Sequence, residues 1–348
     1  MEKKAFENFI IKNNSLSLSR FIYKILYSRP NGYYQKKRIG EDFVTSPEIS
    51  QMFGECIAIF LSSINKKQKF YNVCDLGPGN GTLTNDLVRT MRRLVRDKLT
   101  FFLYEKSLTL SKYQDLCLNN FSDDRIEIKR IHSLKKLKKQ TIFLCNEFFD
   151  ALPTNQYVKK KNQWFEKRIS FLKERFVIIE KPLEKKNLEK YEKFKNDDIL
   201  ELSPLGDVYL KKIFRKIANL GGGALIFDYG PFQKKKINTL QAISKKKKVD
   251  FLEAPFDSDV TYHIDFQYIK TLASNFNLIS YGPISQKKFL YHYGINERYQ
   301  ILSNHLRDQN SKNNLERQFQ RLISPEGMGN LIKCIFVTNL PIKTHAFS

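Results

Sequence analysis

The sequence predicts an α/β fold, a doubly wound sheet of seven strands with helices on both faces. Three observations carry that reading. Short apolar runs at 70–76, 99–104, 125–129, 141–145 and 221–228 alternate with stretches of helical periodicity, as parallel strands and their crossover helices require. The first run turns into a helix at 83–94 through Gly77, Gly79 and Gly81. Two late runs, 277–282 and 331–339, close the sheet as a final hairpin.

The glycine turn narrows the chemistry. A strand that turns through glycines into a helix lets a ligand press against bare backbone at a helix N-terminus. The dinucleotide fingerprint wants its third glycine where Thr82 stands, and no G-K-[ST] follows, so a P-loop is excluded. The remaining use, G-x-G-x-G with an acid two places before the first glycine, suits S-adenosylmethionine (AdoMet), and Asp75 occupies that place. The plain alternative is a tight turn with no ligand.

Composition bounds the rest. The 348 residues are 41% hydrophobic, enough for a sizeable core in one or two domains. Five cysteines are widely spaced with no C-x-x-C pair, so they read as small core residues of a reducing compartment, with no metal and no disulfide framework. No run reaches the ~18 apolar residues of a membrane span, and residues 1–6 form neither a signal nor a transit peptide, so a cytoplasmic location is expected. The formal charge of +24 invites nucleic acid, but it comes mostly from lysines scattered or in short runs. Arginine, the usual base reader, is much scarcer, so only nonspecific, salt-sensitive binding is expected.

Taken in order, residues 1–66 read as a helical segment. Ser17 caps a helix reaching Tyr27, and Pro30 and Gly32 stop it. Ser46 with Pro47 reads as the cap and first position of a helix whose apolar face holds Ile49, Met52, Phe53, Cys56, Ile57, Phe60 and Ile64. Its polar, aromatic lead-in fits a segment folded over a cofactor, with Thr45 and Ser46 offering hydroxyls. Glu105 ends the second strand, placed to accept hydrogen bonds from a ribose; the alternative is an ordinary helix-cap acid. After the third strand, Ile131-His132-Ser133 falls where an adenine edge would lie.

The fourth strand ends in Asn146-Glu147-Phe148-Phe149-Asp150-Ala151-Leu152-Pro153. In open α/β sheets the reacting groups lie beyond such strand ends. Read as one helical turn, Glu147 and Asp150 face the same way, and two carboxylates beside AdoMet suit a guanidinium with its five donors. The alternative is a capped helix start, against which two exposed phenylalanines would be odd. Beyond it, residues 156–180 suggest an inserted hairpin around Trp164, 183–196 a polar helix or flexible strip, and 206–219 a helix. A lysine-rich, mobile loop then reaches Val249, 259–266 leads into a helix, and two helices lie between 296 and 323.

Several motifs together resemble one family along nearly the whole chain. Gly32-Tyr33-Tyr34, Asp42-Phe43, Thr45-Ser46-Pro47-Glu48, Leu76-Gly77-Pro78-Gly79, Gly81-Thr82-Leu83, the octet from Asn146, Asp228-Tyr229-Gly230 and His263-x-Asp265-Phe266 stand in the order of the MidA-type methyltransferases. The resemblance implies a class I (Rossmann-like) AdoMet-dependent fold and arginine N-methylation of a protein partner, a complex I subunit for the mitochondrial members. It implies residues 1–66 as a cofactor lid and 67–348 as the core, with insertions at about 154–205 and 290–328. Expected cofactor contacts are Thr45, Ser46, Asp75, Gly77, Gly79, Gly81, Glu105 and Asn146. Tyr33, Tyr34, Phe148 and Phe149 are expected at the substrate, with Glu147, Asp150 and a proton-relaying His263 catalytic. Asn80 stands where the family usually has arginine, and Lys245 to Lys248 replace a more varied loop. A small-molecule or RNA methyltransferase and a non-catalytic assembly chaperone are the competing functions.

Overall fold

The computed structural model describes residues 3–36, 40, 42–119, 121, 124–161, 163–183, 194–342 and 345–347. Its main sheet has seven strands: β1 (Asn72–Leu76), β2 (Leu99–Tyr104), β3 (Ile126–Ile131), β4 (Thr141–Asn146), β5 (Gly222–Tyr229), β6 (Ile279–Ser285) and β7 (Ile332–Thr338). They lie in the order β6-β7-β5-β4-β1-β2-β3. The strands β1 to β5 pair in parallel, and β7 runs antiparallel between β5 and β6. The order reverses between β1 and β4, which opens a crevice beyond their C-terminal ends.

Alternation along the central strands builds two cores. Ile142 and Leu144 of β4 face the helices Gln51–Lys67 and Thr82–Leu94, together with Val73, Phe101 and Leu225. Phe143 and Cys145 face the other way, onto Pro204–Leu220 and Phe266–Ser274, with Cys74 and Ile226. Both faces are covered, so the strands read as continuous apolar runs.

A second layer brings together distant segments. The N-terminal helices Lys3–Lys12 and Leu18–Tyr27 flank a two-residue strand, Leu16–Ser17, that pairs with Gln163–Leu172 of the insertion. The strands Asn155–Lys160, Arg175–Pro182 and Ile199–Leu202 complete that sheet. A third sheet is made of Gln241–Ser244, Lys247–Val249 and Asp259–Thr261. Phe6, Phe21, Ile169, Phe176, Phe256 and Val260 form the core these pieces share.

Three expectations are revised. The helix begun at Ser46 is a single turn, Ser46–Ile49, whose Thr45 makes no side-chain cap. Ser50, extended at ψ 143°, then accepts from Met52 N–H and starts the long helix Gln51–Lys67. Within the lysine-rich stretch, residues 241–249 form a hairpin where a loop was expected, because Ala242 and Val260 bury its inner face and Lys245 and Lys246 turn it at φ 48° and 62°, while 231–240 remains a loop. A third C-terminal helix, Gln286–His292, precedes Ile295–His305 and Gln309–Ile323. Most of the strip expected at 183–196 lies outside the described residues.

Candidate active site

The glycine turn sits at the crevice. Gly77, Gly79 and Gly81 have φ of 70°, 56° and 89°, a region that disfavours side chains. Asp75, Gly77 and Gly79 line a cavity of about 790 Å³, whereas Gly81 lies behind the turn, where an added Cβ would sit 3.3 Å from Gln114. Gly81 therefore shapes the turn without reaching the cavity. Asp75 is buried on β1 and accepts from Thr84 Oγ1 at 2.7 Å. As a glycine, Gly81 gives the helix Thr82–Leu94 no side-chain cap. Glu48 reaches across instead, accepting from Thr82 Oγ1 at 2.7 Å and Asn80 Nδ2 at 3.1 Å, which gives Asn80 a partner the sequence had not assigned.

Glu105 lines the same cavity at the end of β2 and also acts as the cap its alternative reading expected. One oxygen caps the next turn, accepting from the N–H groups of Lys106 and Ser107 at 2.7 and 2.8 Å. The other accepts from Gln114 Nε2 at 3.2 Å. His132 lies alongside, its Nδ1 3.2 Å from the Glu105 carbonyl oxygen.

The octet after β4 is not a helical turn. Glu147 has φ 50°, and its N–H extends the sheet ladder to Phe227 O at 2.8 Å. Asp228, wholly buried at the end of β5, then gathers the loop: one oxygen accepts from Phe149 N–H at 2.9 Å and Asp150 N–H at 3.3 Å, the other from Tyr229 N–H. Glu147 and Asp150 both line the cavity despite the different backbone. Glu147 Oε1 accepts from Ser46 N–H and Asn146 Nδ2, each at 3.2 Å. Asp150 Oδ1 and Asn146 Oδ1 are buried without a hydrogen-bond partner, a state that a bound donor relieves.

Five expected contacts are corrected. Gly81 is one. Phe149 is 2% exposed in the core, because Asp228 folds the octet inward; Phe148 alone of the pair lines the cavity, its ring packed on Tyr209. Tyr33 is buried and donates to Asp42 Oδ2 at 2.9 Å, while Tyr34 reaches the cavity. The Ser46 hydroxyl points into the core, donating to Gln286 Oε1 at 2.9 Å, so only Thr45 of that pair lines the cavity. His263 is half-buried beside Lys234 and lines no part of it; burial and that lysine hold its pKa down. Sequence reasoning assigned no role to Glu48, Asp228, Tyr209 or Asp259. Asp228 carried a readable signal, an acid ending a wholly apolar strand.

The electrostatics are lopsided. Glu48, Asp75, Glu105, Glu147, Asp150 and Asp259 line the cavity, against Arg29 and Lys106. Burial pushes Glu147 up to about 8, Asp75 and Asp228 up to about 7 and Asp259 up to about 6. Asp150 is raised well above the usual range by burial, then by Asp228 and Glu147. Such groups bind protons more tightly folded than unfolded. Their stabilising contribution is full below about pH 4 and is lost as pH rises through roughly 6–8. The melting temperature of the cofactor-free protein should therefore fall between pH 5.5 and 8.5, with a shallower slope in Glu147→Gln. Equal slopes in the two proteins would refute this account.

A glycine turn at the switch in strand order, an acid ending the neighbouring strand and an antiparallel β7 beside five parallel strands define a class I AdoMet-dependent methyltransferase. Residues 52–284 match the family model described as "Putative S-adenosyl-L-methionine-dependent methyltransferase". The chain is 32% identical to the mitochondrial protein arginine methyltransferase NDUFAF7 of Danio rerio, over 97% of this chain and 86% of that one. The human protein of that name is 28% identical over 90% and 78%. A Burkholderia thailandensis protein crystallised with S-adenosyl-homocysteine shares the fold at a TM-score of 0.83, with 21% identity, covering 99% and 94% of the two chains. The chain belongs to this family of S-adenosylmethionine-dependent methyltransferases, the MidA-type family its motifs resemble, and AdoMet is its methyl donor. The residues fit that donor: left-handed glycines leave the turn bare, Glu105 is held ready at the end of β2, and Asn146 Oδ1 lacks a partner. Both NDUFAF7 proteins are named as mitochondrial, which differs from the cytoplasmic expectation. No helix among the described residues is long and apolar enough to cross a membrane.

Proposed function

We propose that this chain methylates a guanidinium nitrogen of an arginine in a protein partner. The observation that carries the reading is the pair of carboxylates on the cavity wall, Glu147 and Asp150, one of them with an unpartnered buried oxygen. The names of the curated relatives support it.

A wall of acids discriminates between basic acceptors. It would hold a lysine as ammonium, which has no lone pair to offer a methyl group. A guanidinium stays cationic, with a pKa above ~12, yet keeps nitrogen electron density that its environment can redistribute. Glu147 and Asp150 draw the positive charge toward the nitrogens they bind, which leaves the target nitrogen more nucleophilic. AdoMet, when bound, supplies the methyl group from a sulfonium that leaves as a neutral thioether. Asp75, Gly77, Gly79, Glu105, Asn146 and Thr45 would hold it; Tyr34 and Phe148 would flank the acceptor. Holding donor and acceptor in line supplies roughly 7–11 kcal/mol of the acceleration. The proton released after transfer passes to Glu147 or Asp150, whose burial raises their proton affinity; His263, away from the cavity, takes no part. Residues 1–66 serve as the cofactor cover, since Tyr27, Tyr34, Thr45 and Glu48 line the cavity, and 67–348 as the catalytic core with insertions at about 154–205 and 290–328.

The test is to add methyl-labelled AdoMet and this protein to a lysate of a strain lacking its gene. Label should appear as methylarginine in a protein band identified by mass spectrometry. Label confined to RNA or to small molecules would overturn the reading, and absence of any transfer would favour a non-catalytic assembly chaperone.

A further inference from the structure

Asp259 belongs to no expected site, yet it lines the cavity from the third sheet. It begins the strand Asp259–Thr261 opposite Ile243 and is 5% exposed. Tyr34 donates its hydroxyl to Asp259 Oδ1 at 2.6 Å. The Tyr34 ring packs on Tyr27 with centroids 5.3 Å apart, and Tyr27 in turn donates to the Ala151 carbonyl at 2.8 Å. Two packed tyrosines, their rings tilted by 33°, thus tie Asp259 to the octet that carries Asp150. The backbone closes the same link, since Tyr262 N–H donates to Asp150 O at 3.3 Å. Asp259 is close enough for its charge to raise the proton affinity of both Glu147 and Asp150. No ion pair among the described residues involves any of the three.

Three buried acids facing one cavity hold protons while no cation is near, and a cation they share lets them ionise together. Asp150 Oδ1, buried and without a hydrogen-bond partner, is open to accept from such a cation. A guanidinium spreads five N–H donors around a plane, whereas an ammonium presents three from one point. Acids delivered by two separate elements, the loop after β4 and the third sheet, match the wider donor.

Resting on the arginine reading above, we infer that Asp259 completes a three-carboxylate acceptor subsite with Glu147 and Asp150 and determines its selectivity for a planar guanidinium over an ammonium. Tyr34 positions Asp259 through its hydroxyl, and Tyr27 holds the two elements in register.

The experiment titrates the protein, saturated with S-adenosyl-homocysteine, with Nα-acetyl-arginine amide and Nα-acetyl-lysine amide by calorimetry. Wild type should bind the arginine probe more tightly. Asp259→Asn should weaken the arginine probe about tenfold or more, as loss of a charge-assisted bond allows, while lysine-probe and S-adenosyl-homocysteine affinities change less than about twofold. Tyr34→Phe, which keeps the ring and removes only the hydroxyl, should give a smaller loss in the same direction and serves if Asp259→Asn does not fold. Unchanged arginine affinity in the folded variants, or an equal loss for both probes, would overturn the assignment while leaving the arginine reading intact. A wild type that binds neither probe, or prefers lysine, would bring down the arginine reading and this inference together.

Discussion

Gly79→Val is expected to abolish AdoMet binding, a loss of at least a hundredfold by calorimetry, in a protein that still folds. Gly79 lines the cavity with φ 56°, and its carbonyl accepts from Gln114 Nε2 at 2.8 Å, so the turn is fixed from both sides. A β-branched side chain there strains the backbone by about 1–3 kcal/mol and brings two methyl groups to the wall the cofactor must approach. The turn answers by shifting or by filling the cavity, and either outcome removes the bare backbone that the ligand uses. At neighbouring Gly77, φ 70°, an added Cβ would meet the Phe148 ring at 3.0 Å, so that position excludes a side chain as well. A folded Gly79→Val protein with wild-type affinity would sink this placement of the cofactor.

The second large effect separates chemistry from cofactor binding. Glu147→Gln keeps the shape of the side chain and removes its charge. Its Oε1 accepts from Ser46 N–H and Asn146 Nδ2, contacts that a glutamine oxygen retains, so the loop should keep its form. A charge-assisted bond to a guanidinium is worth roughly 1.5–3 kcal/mol. Methyl transfer to the protein partner should therefore fall by about one to two orders of magnitude in single-turnover measurements, with AdoMet affinity little changed. Asp150→Asn should behave likewise, since Asp150 Oδ1 has no other partner to lose. Transfer at the wild-type rate in Glu147→Gln would show that the acids are structural.

The two predictions rest on information of different kinds. The glycine turn was legible because its determinants are neighbours in sequence: an apolar strand, three alternating glycines and a helical period within fifteen or so residues. Ser17 as the cap of Leu18–Tyr27 was legible for the same reason. The octet after β4 was only half legible. Glu147 and Asp150 do reach one cavity, but through a left-handed residue and a buried anchor, Asp228, and not through the helical turn their spacing suggested. Phe149 and Tyr33, expected at the substrate, are each turned inward by a carboxylate.

The sequence by itself determined the doubly wound sheet, the glycine turn, Glu105 at the end of β2 and the pair of acids after β4, all features written in local periodicity, glycine placement and strand-end chemistry. Only the tertiary structure decided which acids share a cavity. Asp228 reaches the octet from β5, Glu48 reaches the glycine turn from the N-terminal segment, and Asp259 arrives on a short strand that pairs with the lysine-rich hairpin. The reason is physical. Helix and strand periods and caps are set by residues a few positions apart, whereas a carboxylate's proton affinity and partners depend on burial and on charges brought from far along the chain, which no local pattern records.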